Sequence, residues 1–174
     1  MNRQSDILLA AVMTVSIFSV AQAACLGGEN LAIMPATPSV EFSDLGNGRV
    51  LHRPTQLIWA RCALGQAWNG SACTGTPELM DWAAALNAAD QAELAGLSNW
   101  RLPNRNELNA LVESRCHDPA INGEIFPDAP ALDFWTSSPA QGESVWQINF
   151  AQGELLTRPA AETAAVRLVS GGRR

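Results

Sequence analysis

Residues 99–111 constrain the fold of this chain more than any other stretch. The segment Trp100-Arg101-Leu102 precedes Pro103, and the backbone before a proline is held in an extended conformation. Asn104 offers the side chain that an N-cap needs, and Glu107 stands three residues later, where its carboxylate can reach back to the backbone of Asn104. Three apolar residues continue one face of the helix: Leu108, Leu111 and Val112. The sequence therefore predicts a short strand that leads directly into a capped helix.

Residues 1–23 have the features of a cleaved secretory signal peptide. Residues 7–20 are almost entirely apolar, and Ala21-Gln22-Ala23 has the small-x-small pattern that signal peptidase accepts. A lipoprotein signal is disfavoured because no Leu-small-small run precedes Cys25. A retained membrane anchor is disfavoured because the apolar run is shorter than the ~20 residues that span a bilayer. We therefore expect a secreted or periplasmic protein with no membrane span after cleavage.

The chain that follows the signal has the size of one domain and is long enough to bury a single core. We interpret residues 24–41 as an N-terminal segment tied down by Cys25, called the lead below, and residues 42–172 as the domain itself. The formal net charge of −6 argues against binding nucleic acid or other polyanions through bulk electrostatics.

Four cysteines follow the signal, and an even count in an exported chain is typical of two disulfides. Cys62 and Cys73 flank a loop that contains glycine and asparagine, so they make the natural local pair. This leaves Cys25 to pair with Cys116, although four cysteines allow three pairings. A zinc site is disfavoured because there is no CxxC spacing and His117, beside Cys116, is the only imidazole near a cysteine.

The remaining pattern predicts strands, a first helix and a long irregular loop. Residues 42–61 are β-like around a turn at Gly46-Asn47-Gly48, and Thr76 with Pro77 predicts the start of a helix. The predicted buried face of that helix comprises Leu79, Trp82, Ala83, Leu86 and Ala89. Residues 117–130, called the long loop below, mix prolines and glycines with apolar anchors, which is typical of a structured loop. Three strands are predicted after it, at residues 134–137, 145–150 and 165–169.

Sequence blocks in this order resemble the Lcl C-terminal domain family across residues 42–172. The blocks are residues 44–50, 57–62, 65–70, 73–76, 99–104, 106–108, 118–122, 126–127, 134–139 and 166–172. The resemblance implies an α+β, C-type-lectin-like fold, with two helices packed on small antiparallel sheets and an irregular long loop. It also implies two functional precedents, which are lectin-type glycan binding and, more distantly, formylglycine-generating enzymes.

Two departures from these precedents limit what carries over. Formylglycine-generating chemistry needs reactive cysteines late in the fold, and no cysteine follows Cys116. Many relatives have a late hairpin rich in tyrosine, whereas residues 151–165 contain no aromatic residue here. Because aromatic faces are a common platform for sugars, the resemblance does not carry a glycan site over to that hairpin.

The tryptophans divide into core candidates and ligand candidates. Four lie in apolar strand or helix patterns and are predicted to pack in the core: Trp59, Trp82, Trp100 and Trp146. Trp68 lies in the loop between Cys62 and Cys73, and Trp135 lies where the long loop returns to the sheet. We expect Trp68 and Trp135, with His117, Asp118 and Asn122 of the long loop, to contact a ligand. Structural roles are predicted for Trp100, Arg101, Asn104, Glu107 and Arg167, the two arginines being partly buried and paired.

Catalytic and metal chemistry are the weaker interpretations. Ser137 or Ser138 could join His117 and Asp118 in a triad, but no nucleophile-elbow pattern is present. Oxygen ligands suited to calcium occur at Asp118, Asn122, Glu124, Asp128 and Asp133. The Glu-Pro-Asn and Trp-Asn-Asp motifs of calcium-dependent lectins are absent, so a solvated loop is favoured. The sequence predicts no metal, no cofactor and no catalytic residue.

These observations predict an exported binding module without catalytic activity, which recognises a glycan or a surface protein through its long-loop face. The alternative is a structural or self-assembling envelope protein that uses the same face to pair with copies of itself. Oligomers are possible under either interpretation.

Overall fold

A computed structural model describes residues 24–172, and the predicted signal peptide lies outside the described residues. Within this range the chain forms an α+β structure with two α-helices, a short 3₁₀ helix at Ser39–Glu41 and several small antiparallel sheets. The helices are α1 (Trp82–Asp90) and α2 (Arg105–Asn109). The strands are β1 (Gly28–Glu29), β2 (Phe42–Gly46), β3 (Arg49–His52), β4 (Leu57–Ala60), β5 (Ala67–Trp68), β6 (Cys73–Thr74), β7 (Trp100–Arg101), β8 (Cys116–His117), β9 (Asp133–Pro139), β10 (Ser144–Asn149), β11 (Glu154–Pro159) and β12 (Val169–Ser170).

The largest sheet has five strands in the order β2-β3-β4-β12-β7. Its first hairpin turns at the predicted site, where Asn47 and Gly48 have φ angles of 53° and 74°. The late strand β12 lies between β4 and β7, since Val169 pairs with Trp59 on one side and with Arg101 on the other. The end of the domain is therefore held in the middle of the sheet.

A second sheet has three strands in the order β11-β10-β9. Its central strand β10 was predicted, with Ile148 and Phe150 buried and Trp146 half-buried. Arg105 lies over the Trp146 ring at 5.0 Å, so this tryptophan is a surface platform for a cation and not a core residue as predicted. Strand β11 was not predicted, because it is an edge strand whose residues are mostly exposed and carry no clear alternation.

Helix α1 begins five residues later than the sequence pattern indicates. Asp81, and not Thr76, is its N-cap, with a side chain that accepts a hydrogen bond from the Ala84 N–H at 2.8 Å. The preceding backbone is extended because the N–H groups of Glu78 and Met80 donate to carbonyl groups elsewhere in the fold. The predicted buried face is confirmed only at Ala89, which is buried together with Ala85, whereas Leu79 is 50% exposed and Leu86 is 37% exposed.

Helix α2 begins as predicted. The Asn104 side chain accepts hydrogen bonds from the N–H groups of Asn106 and Glu107, and Glu107 Oε2 accepts one from the Asn104 N–H at 2.8 Å. Leu108 and Leu111 are buried beneath this helix start. The capping box therefore directs the chain from β7 into the core.

The structure contains both predicted disulfides, Cys25–Cys116 and Cys62–Cys73. The first joins the lead to β8, where Gly28 pairs with His117 and Glu29 with Cys116. The second closes the small β5–β6 hairpin, where Trp68 pairs with Cys73. After β8 the chain continues through the long loop without a regular helix or strand until Asp133.

The capping box gives a stability prediction. We expect Asn104→Ala to lower the free energy of unfolding by about 1 kcal/mol, because two backbone N–H groups lose their acceptor. Thermal unfolding measures this, and Asn109→Ala at the exposed end of the same helix is the control, with a change within about 0.5 kcal/mol. Equal melting temperatures for Asn104→Ala and the parent chain would contradict a stabilising cap.

Candidate functional site

The structure does not bring the five predicted ligand residues together. Trp135 is 0% exposed, and its indole N–H donates to the Met80 carbonyl at 2.8 Å. The ring packs entirely within a cluster of buried residues beneath α1, which is called the second core cluster below. The prediction that Trp135 contacts a ligand is therefore wrong, because the chain itself covers both faces of the ring.

Asn122 is also fully occupied by the chain. Its Nδ2 group donates to the Thr37 carbonyl at 2.9 Å and to Ser39 Oγ at 3.0 Å. Its Oδ1 atom accepts a hydrogen bond from the Glu124 N–H. Because Asn122 is buried and its amide is bonded to the lead and to the loop, the lead occupies in this structure the position that the sequence analysis gives to a ligand.

The lead covers the face of the long loop on which a ligand was expected. The carboxylate of Glu113 is buried beside the loop and accepts hydrogen bonds from the N–H groups of Ala36 and Thr37 at 2.9 and 2.8 Å. Glu29 of the lead pairs with Arg115 at 2.7 Å. With the Cys25–Cys116 disulfide, these contacts attach the lead near both of its ends, at residues 25–29 and 36–37.

The exposed residues His117 and Asp118 remain at the rim of this covered face. Their side chains lie 3.3 Å apart, from Nδ1 to Oδ2. Ser138, the hydroxyl considered for a triad, instead accepts a hydrogen bond from the Arg105 N–H at the start of α2. Among residues 24–172 no group of three or more His, Cys, Asp or Glu side chains is placed to hold a metal ion.

Trp68 is half-buried at the β5–β6 hairpin. The Arg61 guanidinium lies 5.3 Å from the centre of its ring, and a Cβ atom on Gly48 would come within 2.8 Å of its side chain. The cavity beside it has a volume of about 50 Å³. This space is too small for a sugar ring, so any contact with a large ligand would use only the outer edge of Trp68.

An open groove of about 370 Å³ lies on another side of the domain. It is formed where the turn between β9 and β10 faces the start of α1 and the segment after β11. Its lining is Trp82, Pro139, Gly142, Glu143, Ser144, Val145, Pro159, Ala160 and Ala161, and this set is called the groove below.

Trp82 is held rigidly in the wall of the groove. Its indole N–H donates to the Thr136 carbonyl at 2.9 Å, and its backbone N–H donates to the Ala160 carbonyl at 3.0 Å. The ring is half-buried, with one side against the second core cluster. The groove can therefore offer a fixed aromatic surface beside the Glu143 carboxylate and the Ser144 hydroxyl.

The sequence indicated Trp82 as a core residue, so this site was missed. The error follows from the wrong helix start, which placed Trp82 inside α1 when it is the first residue of the helix. Pro77 suits the first position of a helix, whereas the signal for the later start is Asp81, whose side chain is suited to an N-cap. Recognition of Asp81 as the cap would have placed Trp82 at the end of the helix, near the surface.

Comparison with protein-family models gives a match over most of the chain. A family model described as the Lcl C-terminal domain matches residues 48–170, which is more than half of the chain. The chain belongs to the Lcl C-terminal domain family. A comparison with curated proteins gives no match.

The Lcl C-terminal domain match covers the groove and the long loop but not the lead. It contains every residue that lines the groove, and it also contains Glu113 and Asn122. It begins at residue 48, so the lead and strand β2 lie outside the matched range. No helix among the described residues is long and apolar enough to cross a bilayer.

Arg101 and Glu107, two residues of the Lcl C-terminal domain with predicted structural roles, form a bidentate ion pair. Arg101 donates from Nη1 and Nη2 to the two carboxylate oxygens of Glu107, both at 2.8 Å. Burial alone would raise the pKa of Glu107, but the hydrogen bonds and charge of Arg101, with the Asn104 N–H, lower it below 4.5. This pair links β7 to α2 and confirms the pairing predicted for Arg101.

Arg167 is the second arginine predicted to be buried and paired. Its Nη1 atom donates to the carbonyl groups of Ala60 and Arg61, and its guanidinium lies over the rings of Phe126 and Phe134. Complete burial lowers the pKa of Arg167 to about 9, so it still carries its charge at neutral pH.

His52 is buried in the large sheet and stacks on Phe42 with ring centres 4.7 Å apart. Its Nδ1 atom bonds to Thr55 Oγ1 at 2.8 Å, and Nε2 lies 3.6 Å from Glu41 Oε2. Burial lowers the pKa of His52 below its ordinary value of 6.5, although Glu41 opposes the shift. The imidazole therefore stays neutral in the folded chain at pH values where it is charged in the unfolded chain.

This difference predicts how stability changes with pH. As pH falls from about 7.5 to about 5.5, the unfolded chain binds a proton at His52 before the folded chain does, so the free energy of unfolding falls. Denaturant unfolding at both pH values measures the loss, and His52→Asn, which cannot titrate here, should lose less over the same interval. An equal loss in His52→Asn and the parent chain would contradict this origin.

Proposed function

We propose that this Lcl C-terminal domain is an exported binding module without catalytic activity, and that it holds a neutral glycan in the groove. The observation that carries the proposal is the fixed ring of Trp82 in the wall of an open groove of about 370 Å³. A volume of this size lies within the range of small-molecule sites. The groove replaces the long-loop face of the sequence-based prediction, since the lead covers that face.

The chemistry of the groove favours a neutral saccharide over a charged one. An aromatic ring packs against the C–H face of a sugar, while Glu143 and Ser144 offer a carboxylate and a hydroxyl for sugar hydroxyl groups. The carboxylate and the net charge of −6 repel sulfated or uronate-rich glycans. The aliphatic part of the lining, from Pro139, Val145 and Pro159, excludes water from the same surface.

Two further parts of the proposal concern fold and location. We propose a C-type-lectin-like arrangement, supported by the order of β-hairpins, two helices, an irregular loop and late strands. We also propose that residues 1–23 are removed on export and that the protein acts in the periplasm or outside the cell. The two disulfides, which persist in oxidising compartments, support this location.

A structural, self-assembling role is the second candidate, and the edge strand β11 favours it. Among the described residues β11 pairs only with β10, and Leu155 on it is 42% exposed. A free edge can add a strand from another copy. Glu154, Arg158 and Pro159 oppose this, because charges and proline on an edge strand discourage pairing.

A glycan array with the purified protein tests the proposed groove. We expect the parent chain to bind a set of neutral glycans, and Ala161→Trp, which fills the groove from an exposed position, to bind them at least about tenfold more weakly. Leu155→Ala is the control, since Leu155 lies on β11, the strand that precedes Ala161, but outside the groove, and this change should leave binding unchanged.

Three results would contradict the glycan proposal. Equal binding by Ala161→Trp and the parent chain would show that the glycan binds outside the groove. Loss of binding in Trp68→Ala would show that it binds at the β5–β6 hairpin. Absence of glycan binding together with a defined oligomer in light scattering, dissociated by Leu155→Arg, would favour assembly through β11.

A further inference from the structure

The contact between the lead and the domain centres on one lead residue, Thr37. Both its N–H group and its hydroxyl group donate to Glu113 Oε2, at 2.8 and 3.1 Å, and its carbonyl group accepts from Asn122 Nδ2 at 2.9 Å. Glu113 and Asn122 are 0% exposed, and Thr37 is 4% exposed. The backbone of Thr37 is thus hydrogen-bonded through both its N–H group and its carbonyl group. The Glu113 carboxylate favours a residue with a hydroxyl group at this position.

The residues around Thr37 extend this recognition along the lead. The N–H group of Ala36 donates to Glu113 Oε1 at 2.9 Å, and Ser39 Oγ accepts from Asn122 Nδ2 at 3.0 Å. Pro38 between them has φ −64° and ψ 145°, which is the polyproline II conformation. The bound segment is therefore an extended peptide with the sequence Ala-Thr-Pro-Ser.

The site and its occupant belong to different parts of the chain. Glu113 and Asn122 lie inside the region matched by the family model, whereas residues 36–39 lie before it. The side chains that form the site are placed by the domain itself, since the Glu113 N–H donates to the Ala120 carbonyl and Val112 bridges to Ile121. Without the lead, the Glu113 carboxylate would keep one described donor, the Arg115 N–H at 3.0 Å.

We propose that Glu113 and Asn122 form a peptide-recognition site for extended segments with threonine or serine before proline, and that the lead is its built-in occupant. A buried carboxylate with empty acceptor positions favours any segment that supplies two successive N–H groups and a hydroxyl group. The polyproline II conformation reduces the entropy that such a segment loses on binding. A partner segment of the same chemistry therefore competes with the lead for one site, separate from the groove.

The competition explains how the lead would control the site. The Cys25–Cys116 disulfide keeps the lead close, and a tethered segment acts at an effective concentration in the millimolar range. Exposed apolar residues Leu31 and Met34 lie between the disulfide and the bound segment, so the lead gains little from burial along that part. The lead is thus held by its two ends, and the Thr37 contacts are those that an external peptide must replace.

The test opens the site without altering its residues. Thr37→Pro removes both the N–H group and the hydroxyl group that bond Glu113 Oε2, while the disulfide and the domain stay intact. The probe is a fluorescein-labelled peptide with the sequence of residues 34–41, and its binding is measured by fluorescence anisotropy. We expect the Thr37→Pro chain to bind this probe at least about tenfold more tightly than the parent chain does, because the parent's own lead competes.

Matched controls show that binding uses the proposed contacts. Glu113→Gln in the Thr37→Pro chain should weaken probe binding by at least about tenfold, since the amide presents donors where the peptide also donates. A probe with valine in place of Thr37 should bind the Thr37→Pro chain more weakly than the threonine probe. Ala161→Trp in the Thr37→Pro chain should leave probe binding unchanged, which separates this site from the groove.

The proposal is overturned if the folded Thr37→Pro chain, with both disulfides intact, binds the probe no better than the parent chain, or binds it equally well with Glu113→Gln. Where Thr37→Pro prevents folding, Thr37→Val replaces it and removes only the hydroxyl donor. Tighter probe binding by Thr37→Val than by the parent chain supports the site, and equal binding rejects it.

Discussion

The buried carboxylate of Glu113 accepts hydrogen bonds from two parts of the chain that are far apart in sequence. Three come from Ala36 and Thr37 of the lead, and one comes from the Arg115 N–H in the turn before β8. A buried carboxylate is costly unless donors surround it, so the lead, or a segment that supplies the same donors, must lie against the turn before β8. The position of the lead depends on the Glu113 carboxylate, and this position decides whether the long-loop face is covered or exposed.

A buried cation holds the other side of the long loop. The guanidinium of Arg167 lies 4.8 Å from the ring centre of Phe126 in the loop and 5.4 Å from that of Phe134 in β9. It also bonds to the carbonyl groups at the end of β4, and no carboxylate among residues 24–172 forms an ion pair with it. The long loop has no regular secondary structure, and its Phe126 is held in the core against this buried cation.

The parts that could be predicted from the sequence are those determined by neighbouring residues. The Asn104–Glu107 capping box and the local Cys62–Cys73 disulfide depend on short spacings, and both are present. The predicted start of α1 was wrong, although Pro77 is compatible with a helix start. The backbone there is extended because Met80 forms a β-bridge with Ala164, a residue that only the tertiary fold brings near. Trp135 was misassigned for the same kind of reason, since its partner Met80 is 55 residues away. The groove joins three distant segments, and no local pattern indicates it.

The central claim is that the lead is an integral, bound part of the domain surface, which closes the long-loop face and leaves the groove open. Hydrogen exchange of the parent chain measures this directly at the amides of Ala36 and Thr37, which donate to the buried Glu113. The structure predicts that these two amides exchange much more slowly than the amides of an unstructured peptide. Exchange at the rate of an unstructured peptide would show that the lead does not occupy the long-loop face, and would contradict the account.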